Sequence, residues 1–268
     1  MKIAFIATTF LRDELLYKSV QSLLDNYFEG MTIIIVDQGH QTQEKTSWVF
    51  NSPHCVNYYQ VPFDSGLSYG RNFGVEKAKE LGCEYTLIAS DSFLFNKTMK
   101  ELDKVVDILN NTKYSLCGLE LIPSVCGWEA KLNLIEGKHF ELNFIDKSLV
   151  GVIGTKIPTW EIDICRNIFL AKTESLLDTK WDEDLKLGEH EDFFWRYKQN
   201  GYNCLWTNYI YANKITDRPT EYAKYRKLHF NDGLTKLRKK YNLSGWVDYI
   251  NLDRAKNYQK YSQHLDKQ

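Results

Sequence analysis

The chain lacks several features, and each absence closes a class of explanations. Its six cysteines, Cys55, Cys83, Cys117, Cys126, Cys165 and Cys204, are widely scattered, and none forms a Cys-x-x-Cys pair. That spacing excludes a zinc knuckle and a compact disulfide framework, so buried free thiols in a reducing compartment are expected. No apolar run of about 18 residues occurs, so no membrane span is expected. The apolar start, Met1 to Ala7, is a poor signal peptide and reads as a first strand. Neither sign of charge dominates: 34 Lys+Arg stand against 35 Asp+Glu, for a net charge of −1. The chain as a whole therefore has no attraction to nucleic acid or acidic lipid. No internal repeat or low-complexity tract is present.

The 268 residues suit one large domain, or one domain with an extension, and can bury a sizeable core. Aromatic residues are abundant, with 17 Tyr and 7 Trp, and most are read as core and strand packing. The first half alternates strand and helix patterns. Strands are predicted at Ile3 to Thr8, Met31 to Val36, Val56 to Val61 and Tyr85 to Ala89. Between them fall a helix capped by Asp13, with Leu15, Leu16, Val20, Leu23 and Leu24 on its apolar positions, and a helix from Arg71 to Leu81 capped by Ser68 and stopped by Gly82. Thr98-x-x-Glu101 has the form of a capping box for a further helix through Leu109. This rhythm predicts an α/β fold with a mostly parallel sheet and right-handed crossovers. Residues 123–160 lose the periodicity and read as loops and short antiparallel strands. Asn167 to Ala171 reads as a returning strand, Glu189 to Gln199 as a helix closed by Gly201, and Cys204 to Tyr211 as a late strand. From Asp217 onward the chain reads as charged and helical.

The chemistry-bearing residues fall at element ends. Gly66-Leu67-Ser68-Tyr69-Gly70-Arg71-Asn72 is a glycine-punctuated loop running into a helix with an arginine in its opening turn. Ser90-Asp91-Ser92 follows the fourth strand, and Asp37 ends the second. In an open α/β sheet the carboxyl ends of the strands are where ligands bind. A helix start bearing an arginine beside acidic strand ends suits a nucleotide with a diphosphate. A cleft of Thr8, Asp37, Arg71 and Asp91 is expected on that edge.

The order of these motifs resembles the inverting glycosyltransferases of the GT-A (Rossmann-like) fold, in the family-2-like group, and is most like the β-1,4-N-acetylgalactosaminyltransferase type. The resemblance runs over roughly residues 3–230. It includes Thr9-Phe10-Leu11-Arg12, the Arg71 loop, the Asp91 segment, Asn167-Ile168-Phe169-Leu170-Ala171 and the Asp192 segment, with a weaker echo at Lys224-Tyr225-Arg226. It implies a GT-A domain over residues 1–215, with a nucleotide-sugar half (1–122) and an acceptor half (123–215), followed by a helical extension over 216–268. It implies transfer of a sugar from a nucleotide-diphosphate donor, UDP by family analogy, to a glycan or other hydroxyl acceptor with inversion. Thr8, Asp37, Gly66, Arg71, Ser90, Asp91 and Lys214 are the donor-binding residues it implies. In Glu189-His190-Glu191-Asp192-Phe193-Phe194, Asp192 matches the catalytic base, Glu191 is the near alternative and Glu189 the distant one; His190 reads as structural or acceptor-side.

The chain departs from the family pattern at the metal. The family's Asp-x-Asp triplet is here Ser90-Asp91-Ser92, and Asn213 stands where relatives carry a histidine ligand. A hard cation bridging two phosphates prefers carboxylate oxygens. Two such losses imply metal-independent transfer, with Lys214 or Arg71 supplying positive charge, or a divalent metal (Mn or Mg) held loosely by Asp91. The loss also opens a second reading, a non-catalytic nucleotide- or glycan-binding module. A third is a phage-type glycosyltransferase acting on DNA bases, with Lys224 to Lys240 holding the phosphate backbone; a solvated helix face is the plainer reading of that segment. Animal relatives carry a membrane anchor and stem, whereas this chain starts directly at the fold, so a soluble bacterial or viral, cytoplasmic product is expected.

Overall fold

The computed structural model describes residues 2–26, 29–53, 55–123, 128–146, 156–215 and 219–252. Cys126, Asp217 and part of the 123–160 segment lie outside the described residues, so the expectations placed there have no structural counterpart.

Four parallel strands form the first half of the sheet: β1 (Ile3–Thr9), β2 (Met31–Asp37), β3 (Val56–Gln60) and β4 (Tyr85–Ser90), in the spatial order β3-β2-β1-β4. Helices α1 (Asp13–Asp25), α2 (Gln43–Phe50) and α3 (Leu67–Glu80) make the crossovers. The strands read as continuous apolar runs because both faces are covered. Phe5, Ala7, Ile33, Ile35 and Leu87 pack with Leu16, Val20 and Leu23 of α1 on one face. Ala4, Ile6, Ile34, Val36 and Ile88 pack with Val75 and Ala78 of α3 on the other. Gly74 lets α3 lie close: a Cβ there would stand 2.6 Å from Ile6 Cγ2.

The sheet continues past β4. A short β5 (Phe93–Phe95), a 3-10 turn (Lys97–Glu101) and α4 (Leu102–Asn111) lead into β6 (Tyr114–Ile122). Next come a hairpin, β7 (Ala130–Ile135) and β8 (His139–Phe144), then β9 (Trp160–Ile162), β10 (Phe169–Lys172) and α5 (Thr173–Thr179). Helix α6 (Glu189–Gln199), β11 (Asn203–Lys214), α7 (Thr220–Lys240) and β12 (Val247–Ile250) complete the described fold. The main sheet runs β3-β2-β1-β4-β10-β6-β11-β5, with β9 also on β11; β12, β8 and β7 form a second, three-stranded sheet. β10 inserts antiparallel between β4 and β6, while β11 pairs parallel with β6.

Several local expectations change. Gly66, at φ +97°, occupies the N-cap of α3, a conformation that favours glycine. Ser68 lies inside the first turn and donates to the Leu185 carbonyl at 2.7 Å. The capping box at Thr98 is not formed, because the Asn96 side chain accepts from the Thr98 amide and opens the 3-10 turn instead. The segment after α7 adds β12 to a chain end expected to be helical throughout. Cys83, Cys117, Cys165 and Cys204 are buried free thiols, and Cys55 is a partly buried one. No helix among the described residues is long and apolar enough to cross a membrane.

Candidate functional site

A cleft opens at the carboxyl edge of the parallel strands. Its floor holds Thr8 and Thr9 from the end of β1, with Ser90 at the end of β4 and Ser92 just after it. Gly66 and Arg71 from the start of α3 form one wall, Lys186 and Lys214 another, and Tyr222, Tyr225, Arg226 and His229 of α7 close the roof. The cleft encloses about 280 Å³, close to the lower range of small-molecule sites.

The glycine loop is locked to the neighbouring strand end. The Gly66 amide donates to Gln38 Oε1 at 2.6 Å. Asn72 latches α3 to the segment before α6: its amide group donates to the Trp181 carbonyl at 2.9 Å and its carbonyl accepts from the Trp181 amide at 2.8 Å. These bonds fix the first turn of α3 and so the position of Arg71. Arg71 is almost fully buried and donates to Glu189 Oε1 at 2.8 Å. Burial pulls the Arg71 pKa down from its ordinary value, and the Glu189 carboxylate opposes that shift.

Asp91 sits beneath the floor, fully buried. Its oxygens accept from Thr9 Oγ1 at 2.8 Å and Ser90 Oγ at 3.1 Å, and Arg12 pairs with it. Burial raises its pKa, with Arg12, Thr9 and Ser90 opposing. Asp37 is also fully buried and faces away from the cleft. It takes a hydrogen bond from the Gly39 amide at 2.7 Å, one from Tyr58 at 2.7 Å and an ion pair from Lys45 at 2.7 Å.

The acidic helix start divides three ways. Glu189, through Arg71, is tied to the cleft. Glu191 is fully buried, and neither of its oxygens has a hydrogen-bond partner; the Trp246 indole approaches without reaching hydrogen-bonding geometry. Burial pushes the Glu191 carboxyl up to about 8, helped by the nearby charges of Glu189 and Asp192. Asp192 is also fully buried. It accepts from Arg196 Nε at 2.9 Å and Nη2 at 2.7 Å, from Tyr241 at 2.8 Å, and pairs with Lys240 at 2.6 Å. Four donors, from α6, the last turn of α7 and the residue after it, thus hold the carboxylate that the resemblance makes the base. His190 shares a hydrogen bond of 3.0 Å with Asn167 and packs edge-on to Trp128 and Phe194. The surrounding protein, and then the Arg71 charge, drive its pKa down to about 3.

Of the residues expected to bind donor, the structure brings Thr8, Gly66, Arg71, Ser90 and Lys214 to one cleft. Asp37 and Asp91 lie behind it, paired within the fold. Sequence reasoning assigned no role to Arg12, Lys186, His229 or the α7 aromatics. Arg12 had a readable signal, since it directly follows a strand end on the ligand-binding edge. The α7 residues had none, because only the tertiary path of the chain brings that helix over the cleft.

The donor set does not fit the divalent cation that the resemblance implies. Such an ion takes several oxygen ligands, carboxylates among them. Asp91 is below the floor with its oxygens engaged, and Ser90 and Ser92 share a 3.0 Å hydrogen bond. Asn213 is held in β11, in register with Leu94 and Ile122, rather than in the cleft. The side chains that do face the floor include the cations of Arg12 and Lys214. No group of three or more His, Cys, Asp and Glu suited to a metal occurs among the described residues.

A mixed sheet of this topology, with its ligand edge at β1, β4 and α3, is the GT-A glycosyltransferase fold. Solved structures agree: GalNAc-T7 with UDP, GalNAc and Mn2+ superposes with a TM-score of 0.65 at 14% identity, covering 85% of this chain and 48% of that one. S. aureus TarS 1-349 in complex with UDP-GlcNAc superposes at 0.56 with 15% identity, covering 85% and 65%. Residues 4–112 match the family model Glycosyl transferase family 2. The chain is 27% identical over 204 residues to Beta-1,4 N-acetylgalactosaminyltransferase 1 of Rattus norvegicus, covering 69% of this chain and 34% of that protein. It is 29% identical over 196 residues to Beta-1,4 N-acetylgalactosaminyltransferase 2 of Mus musculus, covering 70% and 35%. The chain thus spans about a third of the length of these relatives. The resemblance drawn from the motifs stands.

Proposed function

We propose that this protein transfers a sugar from a UDP-sugar to an acceptor hydroxyl with inversion at the anomeric carbon. The observation that carries the reading is the convergence of Arg71, Arg12 and Lys214 on one cleft at the carboxyl ends of β1 and β4. Cations in a partly enclosed site suit a diphosphate. The matched relatives transfer N-acetylgalactosamine by name, which favours an N-acetylhexosamine donor.

Inverting transfer needs a base for the acceptor proton as the oxygen attacks. Among the motif acids, Asp192 is held by four donors and Glu191 is sealed in protein. Glu189 is the acid linked to the cleft, through Arg71, and it takes the role of base in this reading. Its carboxylate becomes available as the Arg71 guanidinium turns to the donor diphosphate.

The experiment is turnover on a panel of UDP-sugars, with the anomeric configuration of the product read by NMR. Glu189→Gln should lower turnover by roughly 10²–10⁴-fold with donor affinity nearly intact. Asp192→Asn should cost far less. A product of retained configuration would overturn the mechanism, and an inactive Asp192→Asn beside an active Glu189→Gln would return the base to Asp192.

The replacement of both flanking acids by Ser90 and Ser92 favours one alternative, a nucleotide-binding module without transfer. UDP binding with no turnover on any donor would select it. A nucleic-acid role for α7 has less support. Lys236 and Lys240 pair with Asp232 and with Asp182 and Asp192, Arg238 bonds the carbonyl of Ser244, and Arg226 faces the cleft.

A further inference from the structure

We infer that Arg12 is a diphosphate-binding cation of this site, a guanidinium built into the chain where a divalent metal would otherwise stand, with Asp91 as its anchor. The inference rests on the UDP-sugar reading above and deepens it.

The first observation is the state of Asp91. It is the one acid left in the triplet, yet it is fully buried and its oxygens are engaged by Arg12, Thr9 and Ser90. A carboxylate so placed orients a side chain rather than coordinating an ion in the cleft. The second is the exposure of Arg12 itself. It lines the cleft, and its side chain keeps 14% of its surface exposed. A guanidinium carries five N–H donors in a planar fork, so pairing with Asp91 leaves donors for a second oxyanion. The third is how Arg12 is held. Tyr222 of α7 lies over it, with the guanidinium carbon 4.2 Å from the ring centroid. The turn between β1 and α1 brings Arg12 back over the floor through Leu11, which adopts φ +54°. That is an uncommon conformation for a branched side chain, and such outliers persist where the surroundings fix them.

In the transfer, the acceptor oxygen forms its bond to the anomeric carbon as the bond from that carbon to the β-phosphate oxygen breaks. The bonding pair stays on the phosphate, so UDP leaves with one more negative charge, and the acceptor proton passes to the base. A fixed cation aimed at the departing oxygen stabilises that charge without reorganising at the moment of reaction. Arg12, oriented by Asp91, meets the requirement with no metal. It is a further binding and charge-stabilising residue for the proposed reaction.

The test is calorimetric titration with UDP, UMP and uridine, in EDTA and in added manganese. The key variant is Arg12→Gln/Asp91→Asn, which removes both charges and leaves no carboxylate buried alone. Wild type should bind UDP equally in EDTA and in manganese. The double variant should retain its thermal midpoint and lose UDP affinity by roughly 10–100-fold, with uridine affinity nearly unchanged. A purely structural role for the pair would leave UDP affinity intact, and that result would overturn the inference. So would wild-type UDP binding that vanishes in EDTA and returns with manganese. Ser92→Asp offers a second route that keeps the Arg12–Asp91 pair. The added carboxylate should weaken UDP binding in EDTA, and an unchanged affinity would count against Arg12. Wild-type protein that binds neither UDP nor any UDP-sugar would remove the glycosyl-transfer reading itself, whereas normal wild-type binding beside an unaffected double variant removes only Arg12.

Discussion

Arg71 and Glu189 form an ion pair of 2.8 Å across 118 residues of sequence, with each side chain no more than 5% exposed. The pair joins the first turn of α3, on the nucleotide side of the cleft, to the first residue of α6. Breaking a buried pair by removing one partner leaves an uncompensated charge, at a cost of about 3–5 kcal/mol. Replacing both partners with neutral groups of similar size costs much less. Arg71→Met should therefore lower the unfolding free energy by about that amount, and Arg71→Met/Glu189→Gln should recover most of it. Urea denaturation measures both. In the recovered double variant UDP affinity should still fall, by roughly 1.5–3 kcal/mol, through loss of a charge-assisted contact. Equal stability of the single and double variants would show that the two residues are not coupled.

Asp192 fastens α6 to the far end of α7. Its partners are Arg196 on its own helix, Lys240 in the last turn of α7 and Tyr241 just beyond. Asp192→Asn should cost roughly 1.5–3 kcal/mol, the range for hydrogen bonds to a charged group. The loss should appear locally, as faster amide exchange in the last turns of α7, with the exchange of β1 and β4 unchanged. Uniform acceleration across the sheet would mean that Asp192 supports the whole fold and not this junction.

The parallel half of the sheet was legible because each strand is buried on both faces and reads as an unbroken apolar run. β1, β2 and β4 carry almost no polar interruption before their ends. The edge bearing the cleft was legible for the same reason, since Asp37 and Ser90 mark where two of those runs stop. What these residues touch was not. Asp37 reads as a ligand-facing acid, but Lys45, eight residues on, folds back onto it. Asp192 reads as a reacting base because it precedes two aromatics; Phe193 and Phe194 belong to the core. Their burial turns Asp192 toward Tyr241, a partner 49 residues away. Long-range pairing of this kind leaves no periodic trace, and neither does the crossing of α7 over the cleft.

That crossing depends on Gly233. A Cβ at this position would stand 1.8 Å from the Leu187 carbonyl oxygen and 2.7 Å from its carbon. Those atoms are backbone in the segment leading into α6, so α7 has to lift away. On helix propensity alone Gly233→Ala would gain about 1 kcal/mol. The clash should outweigh it, since overpacking a close contact costs about 1–3 kcal/mol or more. A lowered thermal midpoint is expected, together with weaker UDP binding as Tyr225 and His229 move off the cleft. A raised midpoint would show that helix and segment separate without loss.

Glu191 makes the stability of the fold fall as pH rises from about 4.5 to about 8. Its carboxyl is raised from the ordinary 4.5 to about 8 by burial, reinforced by Glu189 and Asp192. Between those two values the folded protein holds a proton that the unfolded chain has released. Stability then falls as pH rises, because the folded state binds more protons than the unfolded one. The contribution is whole below about pH 4.5 and is lost as pH climbs through about 8. Across that window a rise of one in pH removes about 1.4 kcal/mol. Glu191→Gln keeps the shape of the protonated acid and removes the titration. The variant should match wild type near pH 5 and exceed it by a few kcal/mol at about pH 9, measured by urea unfolding at a series of pH values. Its stability should also fall less steeply between those values. If the two proteins lose stability in parallel over that range, Glu191 is not the proton that the fold retains.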